Sequence, residues 1–280
     1  MGMTSPAPQA TFTSFGAIKA GQPVTATGIS QTASAATDPG GVVTSTTLGA
    51  VNTSASTATL TYASPPAISA FGFSAPASSV NISSVTCTAA TGVCGGSNGN
   101  AQGVVINPKL TPPTPAWNYQ SFGYWLVVPS STSTNAGVMS FGSRAPVAAI
   151  PASGTATYSG ISTGVYVNQT GGVFVHAADM TSMVDFGARN IGFSTANTII
   201  SSLTLASPTA APELDITGTL KITPGSSLFS GNVTTPGTPG MAGTATGSFY
   251  GPTAQEIGGT FSLKGTGPQT MLGGFGGVRQ

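Results

Sequence analysis

The chain has 280 residues, of which only 5% are charged, and its formal net charge is +1. An ordinary globular domain carries about 25% charged residues, so Ser, Thr, Asn, Gln and Gly must cover most of this surface. Seven Lys and Arg residues cannot build the basic stripe that binds nucleic acid or docks to an anionic membrane. The 39 Gly and 21 Pro suggest low complexity, but 21 aromatic residues and the small net charge indicate a folded chain.

The first sixteen residues, MGMTSPAPQATFTSFG, carry neither a basic n-region nor an apolar h-region. We therefore expect no signal peptide within them, and a mature export-type N-terminus from about position 3. No run of about 18 apolar residues occurs anywhere in the chain, so no transmembrane helix is expected.

Two cysteines, Cys87 and Cys94, are separated by six residues in VTCTAATGVCGG. The spacing does not match a C-x-x-C metal or redox motif, and the chain has a single histidine. We expect a disulfide that staples a hairpin, which would place the protein in an oxidising compartment. Two reduced, buried thiols are the alternative.

Short alternating runs rich in β-branched and aromatic residues recur along the chain, separated by Gly, Asn, Pro and Ser. No window of a dozen residues shows a 3.6-residue periodicity. The sequence therefore predicts an all-β fold. The runs are TATLTYAS at 57–64, TATYSG at 155–160, GVYVNQ at 164–169, GVFVHA at 172–177 and GTLKIT at 218–223.

The composition divides the chain into three parts. Residues 1–116 are rich in Ser, Thr and Ala and end in the Pro-rich stretch 107–117, which we interpret as a joint. Residues 117–150 form a connecting segment with an aromatic cluster. About eight short strands follow in residues 151–280, as a small closed antiparallel barrel requires.

The densest motif is GSFYGPTAQEIGGTFSLKG at 247–265. Phe249 and Tyr250 should point to opposite faces of one strand, one into a barrel and one outside it. The Gly251-Pro252 pair should turn the chain. We expect Glu256 either to accept hydrogen bonds from backbone amides or to pair with a base such as Arg279. The Gly258-Gly259 pair should allow close strand approach.

The C-terminal half resembles the β-barrel domain of the transferrin-binding protein B family, the bacterial surface lipoproteins that include factor H-binding and neisserial heparin-binding antigens. The resemblance covers about residues 118–280. It rests on five stretches: PASGTATYSG, VDFGARNIGFST, SLFSGNV, GSFYGPTAQEIGGTFSL and the closing GGFGGVRQ. Phe261 in the fourth stretch and Phe275 in the fifth belong to the structural barrel motif. Val278 departs from the family, because the closing motif usually carries a base there.

The resemblance implies an N-terminal β-rich handle-like region followed by an eight-stranded antiparallel β-barrel. It implies a non-catalytic protein on the outer membrane or outside a Gram-negative bacterium, where family members capture host proteins, iron carriers or haem. Membrane contact would come only through an N-terminal lipid anchor, and no lipid-accepting cysteine precedes the barrel in this sequence.

His176 is the only imidazole, and we interpret it as a hydrogen-bonded structural residue. The alternative is a metal or haem ligand, with Met180 or Met183 nearby, because His and Met are axial haem ligands. No other cofactor is expected. The GISTG sequence around Ser162 fits G-x-S-x-G, but that motif needs a strand-turn-helix, which an all-β chain does not supply.

Two classes of function remain. A surface binding protein needs an exposed aromatic or apolar patch, for which Trp117, Tyr124 and Trp125 are the candidates. Its ligand would be a protein or a small molecule. A subunit of a self-associating extracellular assembly is the alternative, because a charge-poor surface tolerates close packing of many copies.

Overall fold

The computed structural model describes residues 15, 18–107, 117–203, 208–237 and 240–280. The N-terminal stretch, except Phe15, and most of the Pro-rich joint lie outside these residues. The described chain consists of β-strands and two short 3₁₀ turns, Val147–Ala149 and Pro212–Leu214, so the all-β prediction is confirmed. In these ranges, no helix has the length and apolar character needed to cross a bilayer.

Ten strands form an N-terminal sheet, which we call the handle sheet. Its spatial order is β5-β4-β3-β1-β10-β9-β8-β7-β6, and β2 pairs with the far half of β1. Residues 117–150 thus contribute two strands to the middle of this sheet. The strands are β1 (Val24–Thr37), β2 (Val43–Leu48), β3 (Asn52–Ser64), β4 (Ala67–Ala75), β5 (Ser78–Ile82), β6 (Val85–Thr88), β7 (Val93–Asn98), β8 (Ala101–Ile106), β9 (Gln120–Ser130) and β10 (Ser133–Gly142).

The alternation seen in the sequence produces the handle core. In β3, Ala58, Leu60 and Tyr62 are buried, whereas the threonines between them point away from the core. Phe73 stacks on Trp125 with ring centroids 5.1 Å apart, and it also contacts Phe141. One face of the sheet is therefore a sealed aromatic core.

The disulfide prediction is confirmed. Cys87 in β6 and Cys94 in β7 lie directly opposite each other in an antiparallel pair and are bonded. Cys94 is fully buried in the handle core. Among the described strands β6 pairs only with β7, so the bond reinforces its one connection to the sheet.

The remaining strands form the C-terminal barrel. Eight of them pair in sequence, and the pairing of the first with the last, β11 with β19, closes the ring, as predicted. β14 is a two-residue addition to β13. The strands are β11 (Thr155–Val167), β12 (Val173–Asp185), β13 (Asn190–Ser201), β14 (Thr209–Ala210), β15 (Thr217–Ile222), β16 (Leu228–Thr234), β17 (Ala242–Tyr250), β18 (Glu256–Lys264) and β19 (Thr270–Arg279).

Aromatic rings fill the barrel interior. Phe249 contacts Tyr158, Phe186 and Phe229, and Phe275 contacts Phe193 with centroids 4.8 Å apart. This packing leaves no room for a side chain at Gly259, because an added Cβ there would lie 2.7 Å from the Phe275 ring. The large rings thus fit because glycines stand opposite them.

The handle sheet packs on the outside of the barrel at a patch of glycines. Added Cβ atoms at Gly258 and Gly276 would lie within 2.8 Å of the Gln120 side chain, and one at Gly274 would lie 2.8 Å from Phe122. β9 and β10 therefore approach β18 and β19 more closely than ordinary side chains would allow.

The Glu256 carboxylate joins the two domains. Oε1 accepts a hydrogen bond from the backbone N–H of Asn118 at 2.6 Å, and Oε2 accepts from Tyr119 and Gln120 at 3.0 and 2.9 Å. Of the two partners expected from the sequence, backbone amides are the ones found. Arg279 is exposed at the chain end, where its own backbone N–H bonds Gln255.

Further contacts reinforce the junction beside Glu256. Arg144 donates to the Thr53 carbonyl at 2.6 Å and lies in a β-bridge with Tyr250. The Tyr250 hydroxyl lies 3.2 Å from Ser140 Oγ of the handle sheet. Phe249 points into the barrel and Tyr250 out of it, as the alternation predicts.

The opposite end of the junction is held by a second set of bonds. The Lys264 ammonium donates to the Thr46 carbonyl at 2.7 Å, and Thr46 Oγ1 donates to the Pro268 carbonyl at 3.1 Å. The N–H of Val43 donates to the carbonyl of Gly171 at 3.1 Å. β2 is thereby tied to two turns of the barrel.

Phe261→Ala tests the barrel core. Phe261 is fully buried against His176, Phe193 and Phe275, so its truncation should lower the free energy of unfolding by about 3 to 5 kcal/mol. Denaturant titration of wild type and variant measures this. A loss below 1 kcal/mol would show that the ring does not pack as described.

The pH dependence of stability tests the Glu256 site. Burial raises the pKa of Glu256 to about 7, although its three N–H donors favour the ionised form. The folded protein then binds the proton more tightly than the unfolded chain, so this stabilisation is present below pH 4.5 and is lost as the pH rises through 7. The loss amounts to about 3 kcal/mol. Denaturant titrations from pH 4.5 to 8 should show this decline in wild type relative to Glu256→Gln.

The contribution of His176 to stability changes with pH in the opposite direction to that of Glu256. Burial lowers its pKa to about 4, so the stability that it contributes is present above pH 6.5 and is lost as the pH falls through 4. The comparison must therefore use the difference between wild type and Glu256→Gln, in which the His176 contribution cancels. A difference that is constant over this pH range would contradict the burial of Glu256.

Candidate binding cleft

A cleft separates the outer edge of the handle sheet from the barrel. β9 packs directly on the barrel, where Tyr124 and Leu126 contact Val165, Val175 and Leu272. The outward side chains of β6, β7 and β8 form a roof over the outer surface of β12 and β13, with space between. We call this space the wedge cleft.

Two neighbouring cavities make up the wedge cleft, with volumes of about 410 and 290 Å³. Val93, in the stapled hairpin, lines both. The larger cavity is lined by Thr86, Ser97, Gln102 and Tyr124 above and by Val175 and Leu203 below. The smaller is lined by Ala90, Thr91 and Ile106 above and by Ile161, Asp179, Asn197 and Ile199 below.

The floor of the cleft carries exposed apolar side chains. Ile199 and Leu203 are 39% and 41% exposed, although both belong to residue types that are normally buried. They belong to a group of six large hydrophobic side chains that are exposed among the described residues. Apolar side chains that are exposed to solvent within a concave surface are typical of a binding site.

A β-bulge shapes the polar end of the floor. The β12–β13 register shifts between Ala177 and Asp179, and Asn197 on the facing strand adopts a left-handed φ of 56°. Asn197 Nδ2 donates to Asp179 Oδ2 at 2.7 Å. Bulges often redirect a side chain beside a functional surface. Here the bulge sets a carboxylate at the edge of an apolar floor.

The three aromatic residues predicted as an exposed patch are buried. Trp125 lies in the handle core with 0% exposure, and its Nε1 donates to Ser78 Oγ at 2.9 Å. Trp117 is 3% exposed and packs on Phe122 at the junction. Tyr124 is 6% exposed, yet it lines the wedge cleft. The three rings do not form an exposed aromatic surface, because Trp125 fills the handle core and Trp117 and Tyr124 pack where the handle sheet meets the barrel.

The single histidine lies inside the barrel. His176 is buried, its Nε2 lies 3.3 Å from the Leu272 carbonyl, and its ring packs against Phe261. The carbonyl can only accept, so Nε2 carries the proton, and Nδ1 has no hydrogen-bonding partner. Met180 is buried on the same strand, whereas Met183 is 64% exposed on the outer face.

The described residues contain no group of three His, Cys, Asp or Glu side chains arranged to hold a metal ion. Ser162 lies within the long strand β11, away from any turn, and is buried. The residue types of a catalytic triad are not brought together, because Asp179 lies on the outer floor while His176 lies inside the barrel.

Sequence reasoning missed the wedge cleft. Its floor comes from Ile199 and Leu203, whose run TIISSL reads as an ordinary strand end. Two signals were present in the sequence: the disulfide that stiffens the roof, and the polar pair Asp179 and Asn197 within apolar runs. Only the fold brings those parts together.

Comparison with known proteins agrees with this architecture. Residues 150–279 match the family of the C-lobe and N-lobe β-barrels of transferrin-binding protein B. No curated protein sequence is significantly similar to the chain.

Several solved structures are similar. A variant of transferrin-binding protein B from Haemophilus parasuis aligns with a TM-score of 0.43 at 18% identity, covering 80% of this chain and 51% of that one. The isotype 1 protein from serogroup B Neisseria meningitidis aligns with a TM-score of 0.44 at 23% identity, covering 72% and 38%. A surface lipoprotein aligns with a TM-score of 0.47 at 13% identity, covering 90% and 98%.

The chain spans about half the length of the Haemophilus protein and less of the Neisseria one. The family match lies within the barrel, and it includes the motif that builds the domain junction. The closed sheet of eight strands coincides with the matched residues. Residues 150–279 therefore form a β-barrel that matches the barrels of transferrin-binding protein B, and the chain joins this barrel to an N-terminal handle sheet.

Proposed function

We propose that this chain is a non-catalytic binding protein, presented on the outer surface of a Gram-negative bacterium, that recognises a protein partner through the wedge cleft. The observation that carries the proposal is an exposed apolar floor, Ile199 and Leu203, under a roof stiffened by the Cys87–Cys94 disulfide. The family of the barrel supports it, since relatives are named for binding transferrin.

The shape of the cleft favours a protein segment. Its two cavities share Val93 of the stapled hairpin as a lining residue, so an extended chain can follow both. Both domains around it are β-structures joined by many hydrogen bonds, which keep the surface preorganised and lower the entropic cost of binding. A preorganised apolar groove with a polar rim is typical of protein recognition.

Haem fits the described residues less well than a protein does. Its candidate ligand His176 lies among aromatic rings inside the barrel, and Phe261 contacts the ring. Axial ligation would require an open space beside an imidazole nitrogen. We therefore propose a protein partner and place an iron carrier of the transferrin type first among those to be tested.

Biolayer interferometry on the immobilised full chain tests the proposal. The analytes are iron-loaded and iron-free transferrin, haem, and purified proteins recovered from serum on the same chain. We expect one protein to bind with a dissociation constant of about 10 µM or tighter, and Ile199→Arg to weaken it at least tenfold by placing a charge on the apolar floor.

Met183→Arg is the matched control, because Met183 is exposed on the same face of the barrel but does not line the cleft. It should leave the affinity unchanged. Binding of haem alone, or no purified protein bound at this level, would overturn the proposal. Equal loss in both variants would show that the added charge acts non-specifically.

Self-association into an extracellular assembly is the second candidate, and the 5% charge content favours it. Light scattering at rising concentration separates the two. A scattering mass that stays constant up to about 10 mg/ml excludes assembly, whereas growing particles that persist in Ile199→Arg would support it.

A further inference from the structure

The wedge cleft has a specific charge pattern. Among the described residues that line its two cavities, Asp179 is the only charged one. Asp179 is exposed, and one of its oxygens, Oδ2, is held by Asn197. No Lys or Arg of the described part forms an ion pair with it. A carboxylate of this kind, fixed in orientation at an apolar floor, is complementary to a cation.

The geometry fixes the order of these features along the floor. Asp179 and Asn197 lie on neighbouring strands at the bulge, and Ile199 follows Asn197 two residues later on the same strand. Leu203 continues in the same direction under the larger cavity. A ligand that meets all of them is extended, with a cationic group at one end and apolar groups along the rest.

We infer that the partner inserts an extended segment in which a Lys or Arg pairs with Asp179 and the adjoining apolar side chains cover Ile199 and Leu203. This inference rests on the proposed binding function and specifies its chemistry. Arg fits best, since its planar guanidinium can bond both carboxylate oxygens, and Asn197 already orients the carboxylate. An acidic segment is rejected by the same charge.

Selection of random heptapeptides displayed on phage, with the full wild-type chain as bait, tests this chemistry without assuming a sequence. The enriched peptides should contain one Lys or Arg next to at least two large apolar residues. Synthetic versions should bind in fluorescence polarisation, and replacing the base by Glu should weaken binding at least tenfold.

Asp179→Asn keeps the shape of the side chain and removes its charge. It should reduce the preference for the basic peptide over its Gln analogue to less than twofold, while Ile199→Ser should weaken both peptides equally. Glu213→Gln, which removes an exposed carboxylate outside the cleft, is the control and should change neither affinity.

Enrichment of peptides without a base, no enrichment, or equal binding to wild type and Asp179→Asn would each overturn the inference. The proposed function fails separately. If the protein partner binds wild type and Asp179→Asn equally but loses affinity for Ile199→Arg, the cleft is the binding site and the cation pairing is wrong. If no protein partner binds wild type, the proposed function itself is wrong.

Discussion

The structure depends on one carboxylate. Glu256 begins a barrel strand, yet its oxygens accept hydrogen bonds from three successive amides where the handle sheet begins its central strand β9. A buried carboxylate without partners would be strongly unfavourable, and the three handle amides offset part of that cost.

The neighbouring glycines make that contact possible. Gly258 and Gly276 leave room for the Gln120 side chain, and Gly274 leaves room for Phe122. Side chains of the handle sheet therefore pack directly on the backbone of the barrel on one side of the molecule. On the other side the sheets diverge, and the wedge cleft is what remains between them. A tight junction and an open cleft are thus two consequences of the same docking geometry.

Much of the fold could be predicted from residue patterns. The alternation of polar and apolar residues in runs such as TATLTYAS predicted the strands, and the spacing of Cys87 and Cys94 predicted the disulfide across a hairpin. Both are local properties of the chain. The opposite faces of Phe249 and Tyr250 followed from the period of a strand.

The site could not be predicted in the same way. Trp117, Tyr124 and Trp125 look like a recognition patch in sequence, but their burial depends on packing that the sequence does not show. Trp125 packs on Phe73 of β4, and Tyr124 packs on barrel strands that lie far away in the chain. The sequence left two kinds of partner open for Glu256, backbone amides or a base. Only the fold, which places the amides of residues 118–120 beside its carboxylate, identifies the partner. The cleft floor joins strand ends and a bulge, which have no distinct local pattern.

Amide hydrogen exchange at Asn118, Tyr119 and Gln120 tests most directly whether Glu256 anchors the handle to the barrel. In wild type these amides should exchange at least 100-fold more slowly than in Glu256→Ala, because the variant removes their acceptor. The amides of the barrel strands β15 and β16, which are distant from the junction, should keep their protection in both proteins. Fast exchange at the three amides in wild type, or the same protection in the variant, would contradict this role of Glu256.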